Sequence, residues 1–142
     1  TGLGLGDNTR AAIMTRGIYE IARMGRALGC SERTFAGLAG IGDLIVTATS
    51  MHSRNNRAGI LIGQGTDPEE AIRRIGMAVE GVNALPAAMA LAEKYDVEIP
   101  IISAVHSIIS GSKTPEEAVA ELLNRSLKAE DPTLRYEKDL LH

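Results

Sequence analysis

Ile13, Ile18, Ile21, Met24 and Leu28 fall roughly on one face of a 3.6-residue repeat, with polar and small residues between them. The pattern predicts a long helix, capped by Asp7 or Asn8 and running to about Leu28, where Gly29 stops it. Ser31 starts a short helix to about Leu38, and Gly40 and Gly42 punctuate the chain before a helix from Asp43 to Thr49. Ser53 opens the next, to about Ile62, ended by Gly63 and Gly65. Two later starts are alike, Asp67-Pro68-Glu69-Glu70 and Thr114-Pro115-Glu116-Glu117. Each supplies an N-cap, a proline at the first helical position, acids in the first turn and a carboxylate at the capping-box position. The stretch from Glu80 to Lys94 contains Pro86. An interior proline removes a hydrogen bond and costs ~3 kcal/mol, so the regular helix is expected to begin near Val82–Leu85, or to kink there. Pro100 opens a helix to Ser110, ended by Gly111. The β-rich run Ile41–Val46 is short, and no hairpin signal accompanies it. The pattern reads as an all-α, multi-helix single domain over residues 1–126, followed by a charged tail, 127–142, expected to fray or lie on the surface.

Length and composition narrow the function classes. The 142 residues suit one compact domain, and 44% hydrophobic with 23% charged residues is ordinary for a folded protein. A net charge of −3 gives no support to nucleic-acid binding. No apolar run reaches membrane-spanning length. The single cysteine, Cys30, excludes an internal disulfide and fits a cytoplasmic protein. His52, His106, His142 and Cys30 do not form a metal-ligand spacing, so no metal is expected. The chain opens without an initiator Met, inside the glycine-rich Thr1-Gly2-Leu3-Gly4-Leu5-Gly6, which predicts a piece of a longer protein. Gly2-x-Gly4-x-Gly6 is not a dinucleotide fingerprint, because no strand precedes it and the third glycine comes too early. It reads as a flexible turn between two helices. A helix lost from before that turn would leave the apolar side of the Asn8–Leu28 helix uncovered, which predicts self-association, and a homodimer is expected.

Ser53-Arg54-Asn55-Asn56-Arg57 carries the candidate chemistry. A hydroxyl at a helix start leaves first-turn N–H groups and the positive end of the macrodipole facing an anion. Arginine adds a bidentate grip on phosphate oxygens. The same residues also make an ordinary, solvated helix start. Asp43 lies inside an apolar run, where an acid is either paired or placed for function. Thr47 is four residues on and shares its helix face.

These residues also carry a resemblance. Gly2-Leu3-Gly4-Leu5-Gly6-Asp7-Asn8-Thr9-Arg10, Gly37-Leu38-Ala39-Gly40-Ile41-Gly42-Asp43-Leu44, Ser53-Arg54-Asn55, Gly63-Gln64-Gly65 and Val79-Glu80-Gly81-Val82 resemble, in order, the C-terminal domain of bacterial NAD(P)-dependent glycerol-3-phosphate dehydrogenases. The resemblance covers about residues 1–126. It implies a helical domain of the 6-phosphogluconate dehydrogenase C-terminal-like class, following a Rossmann domain. It implies reversible reduction of dihydroxyacetone phosphate with NADH or NADPH, giving sn-glycerol 3-phosphate for phospholipid synthesis. On that likeness Asp43 contacts substrate hydroxyls and helps order the catalytic centre, with Thr47 beside it. Ser53, Arg54 and Asn55 hold the small phosphorylated substrate, and Arg54 and Glu80 touch the cofactor, NAD or NADP. The cofactor contact two residues before the glutamate falls on Ala78, which suits a backbone contact. The catalytic lysine of such proteins would lie upstream of Thr1, so no catalytic residue is expected within the chain.

Two other readings remain at this point. One is a non-catalytic helical dimerisation or interaction module, which gains nothing from an acid in an apolar run. The other is the helical domain of a related reductase, of ketopantoate or 6-phosphogluconate type, against which the spacing of Gly-Asp-Leu to Ser-Arg-Asn argues.

Overall fold

The structure, a computed structural model, describes residues 2–124. The expected tail, 127–142, lies outside them. Among the described residues every regular element is helical: α1 (Asp7–Ala27), α2 (Glu32–Phe35), a π-helical turn (Leu38–Gly42), α3 (Asp43–Thr49), α4 (Arg54–Gly63), α5 (Pro68–Ile75), α6 (Glu80–Tyr95), α7 (Pro100–Ile109) and α8 (Pro115–Asn124). Helix α1 packs on α2, α3, α6 and α7, while α7 also meets α5, α6 and α8. Helix α4 lies against α3, α5 and α6. A core of buried Ala58, Ile75 and Val79, flanked by Leu61, Ile72 and Val82, joins α4, α5 and the head of α6. Burying an aliphatic side chain such as Ile75 stabilises by about 1.5–3 kcal/mol. That core anchors the heads of α4 and α6, where the candidate residues sit.

The polar starts explain most of the helix boundaries. Asp67 Oδ1 accepts from the N–H groups of Glu69 (3.0 Å) and Glu70 (3.1 Å). The reciprocal half of that expected capping box is missing, because Glu70 turns to Arg73 and Arg74 instead. The second start closes fully: Glu117 N–H donates to Thr114 Oγ1 (3.2 Å), and Thr114 N–H donates to Glu117 Oε2 (2.9 Å). Gly76 and Gly111 end their helices at φ 69° and 71°, which glycine adopts without Cβ strain.

Several expectations are corrected. Gly6, not Asp7 or Asn8, is the N-cap of α1, and Asp7 inside the first turn pairs with Arg10. The short second helix stops at Phe35 rather than near Leu38. Gly40 and Gly42 do not punctuate; they lie in the π turn, which runs straight into α3. Glycine is required there, because a Cβ at Gly40 would lie 2.2 Å from the Phe35 carbonyl oxygen. Helix α6 begins at Glu80 and carries Pro86 within it, since Val79 and Gly81, on either side of Glu80, are held by contacts distant in sequence. On α1, Ile21 and Leu28 are 38% and 43% exposed, and the side facing the interior is marked by Glu20 and Gly25. Gly25 admits the Phe35 ring, which a Cβ there would meet at 2.1 Å. The glycine-rich opening is a turn as expected, but Gly2 is wedged against α4.

Glu20 is 1% exposed and solves a problem set by α7. That helix has Ile99 at its N-cap position and Pro100 at its first, so neither supplies a side-chain cap. The free donors are the N–H groups of Ile101 and Ile102. Ile101 donates to both carboxylate oxygens of Glu20 (2.8 and 3.0 Å) and Ile102 to Oε2 (3.2 Å). Burial pushes the Glu20 carboxyl above its ordinary value of 4.5, partly offset by these two N–H groups and the charges of Arg23 and Arg16.

Candidate functional site

Ser53 caps α4 as its sequence predicts: Asn56 N–H donates to Ser53 Oγ at 3.2 Å. Asn56 Nδ2 donates to the Ser50 carbonyl at 3.0 Å, which fixes the turn from α3 into α4. The next two residues reach across to α6. Arg54 Nη1 donates to the Ala78 carbonyl at 3.3 Å, and Asn55 Oδ1 accepts from Gly81 N–H at 3.0 Å. Val79, the N-cap residue of α6, provides no side-chain cap. Asn55 therefore caps α6 from a distance. Gly81 permits the approach, since a Cβ there would lie 2.9 Å from Asn55 Oδ1. The head of α4 and the segment carrying Glu80 are thereby stitched together at two points.

This use of Asn55 is not visible in its sequence neighbourhood. The signal lies at Val79, an apolar residue at a cap position, whose helix must find an acceptor elsewhere. Asn55→Ala is expected to destabilise the domain by about 1 kcal/mol, and Asn55→Asp, which keeps the acceptor, by less. Urea denaturation of the two variants checks the order; equal losses would remove the capping role.

The remaining candidates are placed more loosely. Glu80 is exposed in the first turn of α6, between the two stitches. Asp43 begins α3 and Thr47 follows one turn on, half-buried. Asp43 is exposed, and its side chain makes no hydrogen bond or ion pair among the described residues, so the paired alternative is not found. The apolar run around it faces outward as well, with Val46 63% exposed. Helix α3 packs on α4 and the turn between them is tight, with Ser53 N–H donating to the Ser50 carbonyl at 3.1 Å. Thus Arg54 and Asn55 bond to Ala78 and Gly81, on either side of Glu80 in sequence, Ser53 caps the helix that carries them, and Asp43 and Thr47 lie on the neighbouring helix.

Chemically the arrangement leaves several hydrogen-bond donors open at the head of α4. Arg54 commits one of its five N–H groups to Ala78, and Asn55 keeps its amide donors. An exposed carboxylate at Glu80 and another at Asp43 can accept from hydroxyl or amide groups of ligands. Among the described residues no group of three or more His, Cys, Asp or Glu could hold a metal ion, and no helix is long and apolar enough to cross a membrane.

Comparison with known proteins bears on these residues. Residues 1–120 match the family model for the NAD-dependent glycerol-3-phosphate dehydrogenase C-terminus. A glycerol-3-phosphate dehydrogenase (NAD(P)+) of a Thermoanaerobacter species is 57% identical over 129 residues, covering 91% of this chain and 39% of the relative. One from Lactobacillus delbrueckii subsp. bulgaricus is 55% identical over 130 residues, covering 92% and 39%. The crystal structure of glycerol-3-phosphate dehydrogenase from Coxiella burnetii superposes with a TM-score of 0.84 at 44% identity, covering 87% of this chain and 38% of that one. The chain thus spans about two fifths of the length of the relatives it matches.

Proposed function

The chain belongs to the NAD-dependent glycerol-3-phosphate dehydrogenase C-terminal family, and we propose that it is the substrate-binding part of an enzyme reversibly reducing dihydroxyacetone phosphate to sn-glycerol 3-phosphate with NAD(P)H. The observation that carries this reading is the double stitch from Arg54 and Asn55 to Ala78 and Gly81. It supports a phosphate seat beside the segment bearing Glu80. The family membership disfavours a purely non-catalytic interaction module.

In the proposed mechanism Ser53 holds the head of α4 in shape, and Arg54 and Asn55 receive the phosphate. Phosphate binding at this end of the substrate fixes the carbonyl at the other end, which lowers the entropic barrier to reaction. Asp43 and Thr47 take the hydroxyl groups and help order the proton donor. That donor is a lysine ammonium, upstream of Thr1 in the whole protein, which gives its proton to the carbonyl oxygen. When bound, a nicotinamide cofactor would supply the hydride-transfer chemistry. Glu80 and Arg54 would hold the cofactor, NAD or NADP, and Ala78 would do so through its backbone. The product feeds glycerophospholipid synthesis. The exposed thiol of Cys30 supports a cytoplasmic location. Exposed Leu38, Val46 and Met51 support a homodimer or a covering domain.

Residues 1–142 alone are expected to show no turnover, while the whole protein oxidises NADH or NADPH with dihydroxyacetone phosphate. A spectrophotometric assay of both, free of host enzyme, checks this. Turnover by the isolated chain, or a folded whole protein inert toward dihydroxyacetone phosphate, overturns the reading.

A further inference from the structure

The far end of α4 makes a contact that the anion seat does not use. Gly2 lies so close to that end that a Cβ on it would fall 2.5 Å from the Ile60 carbonyl oxygen and 2.8 Å from Gly63 Cα. The contact is reciprocal, since a Cβ on Gly63 would fall 2.8 Å from Gly2 Cα, 2.9 Å from its carbonyl carbon and 3.0 Å from Leu3 N. All these neighbours are backbone atoms, so no side-chain rotation relieves the clash. Gly59, one turn earlier on the same helix, has nothing within 4 Å of its Cβ position. Of the two glycines of α4, only Gly63 has its Cβ position blocked, although the Gly59 carbonyl oxygen lies 3.0 Å from the Gly2 Cβ position. Leu3 and Leu5 continue from it along one wall of a cavity of about 360 Å³, and Asn55 and Gly81 line the same cavity.

We propose that Gly2 and Gly63 are positioning residues for the Ser53–Asn55 seat. Helix α4 is one rod of about 15 Å, by its ten residues and the rise per residue. The seat occupies its head and the Gly2 contact its tail. The backbone-on-backbone contact fixes the tilt of the rod relative to the chain entering at residue 2. On the reading of the preceding subsection, that entering chain brings the proton donor. The contact then sets the distance between the held phosphate and the group that protonates the carbonyl. A methyl at Gly63 must push the entering segment or the helix aside. A displacement of ~1 Å between reacting groups costs roughly 10²-fold in rate.

The test uses the whole protein and compares Gly63→Ala with Gly59→Ala. Both make the same helix-favouring change, but only the first meets backbone. Gly63→Ala is expected to keep native helicity by circular dichroism and unchanged cofactor affinity, while kcat/KM for dihydroxyacetone phosphate falls roughly 10- to 100-fold. Gly59→Ala is expected to match wild type. Gly2→Ala, which leaves the sequence of α4 unchanged and makes the same clash from the other side, is expected to reproduce the loss and also serves if Gly63→Ala does not fold. Wild-type kcat/KM in folded Gly63→Ala or Gly2→Ala, or an equal loss in Gly59→Ala, overturns the proposal. Absence of activity in the wild-type protein sinks the functional reading instead.

Discussion

Replacing Glu20 with alanine is expected to lower the unfolding free energy of the domain by roughly 2–5 kcal/mol. The argument starts from α7, whose first N–H donors have no local acceptor because Ile99 and Pro100 precede them. Alanine at position 20 leaves the Ile101 and Ile102 N–H groups without the carboxylate that both now use. It also opens space at a site that is 1% exposed. Helix α1 loses its polar tie to α7, so the damage spreads beyond one cap. Glutamine keeps the shape and one acceptor oxygen, and is expected to cost less than half as much. The pH dependence has a definite sign. Burial raises the folded-state carboxyl above 4.5, so the native state holds its proton more tightly than the unfolded chain does. Its contribution is fully present below pH 4.5 and declines as pH rises through the raised value. Wild type therefore gains most over Glu20→Gln in acid and less at neutral pH. Urea denaturation at pH 4 and pH 7 measures both effects; a wild-type advantage that grows toward neutrality would reverse the assignment.

Arg54→Ala in the whole protein is expected to raise KM for dihydroxyacetone phosphate or lower kcat/KM by roughly ten- to a hundredfold. A charge-assisted hydrogen bond contributes ~1.5–3 kcal/mol, which converts to that range. Arg54 is exposed at the head of α4 and spends one bond on Ala78, so its other donors remain available to a phosphate. Lysine at this position keeps the charge and loses the planar fork, so it is expected to restore only part of the loss. Arg57→Ala removes an equal charge one turn along and is expected to matter far less. Because Arg54 also braces Ala78, its loss should weaken cofactor binding modestly as well. Steady-state kinetics with both substrates varied, together with cofactor titration, checks the pattern. An Arg54→Ala enzyme with unchanged KM and turnover ends the phosphate-seat proposal.

What could be read in the sequence follows the range of the interaction. Ser53, Asp67 and Thr114 cap helices through bonds spanning two or three residues, and each start was legible as such. The cap of α7 comes from Glu20, more than eighty positions away, and the cap of α6 from Asn55, twenty-six away. Neither can be inferred from its own neighbourhood, though Val79 and Ile99, apolar residues where caps belong, mark the need. The exposure of Asp43 has a related cause. An apolar run predicts burial only when the fold has a surface to receive it, and here that face of α3 points outward. The π turn before it escaped notice because Gly40 and Gly42 read locally as breakers, whereas here glycine answers a close approach by Phe35.

Phe35 is the chain's single phenylalanine. Its ring sits on Gly25 of α1 and its backbone under Gly40 of the π turn that leads into Asp43. Uniform labelling of residues 1–142 with fluorinated phenylalanine would thus yield one ¹⁹F line and no assignment problem. That line would sense ring currents and packing at the junction below Asp43, so ligand titrations and strain at either glycine could be followed by a lone, residue-specific probe.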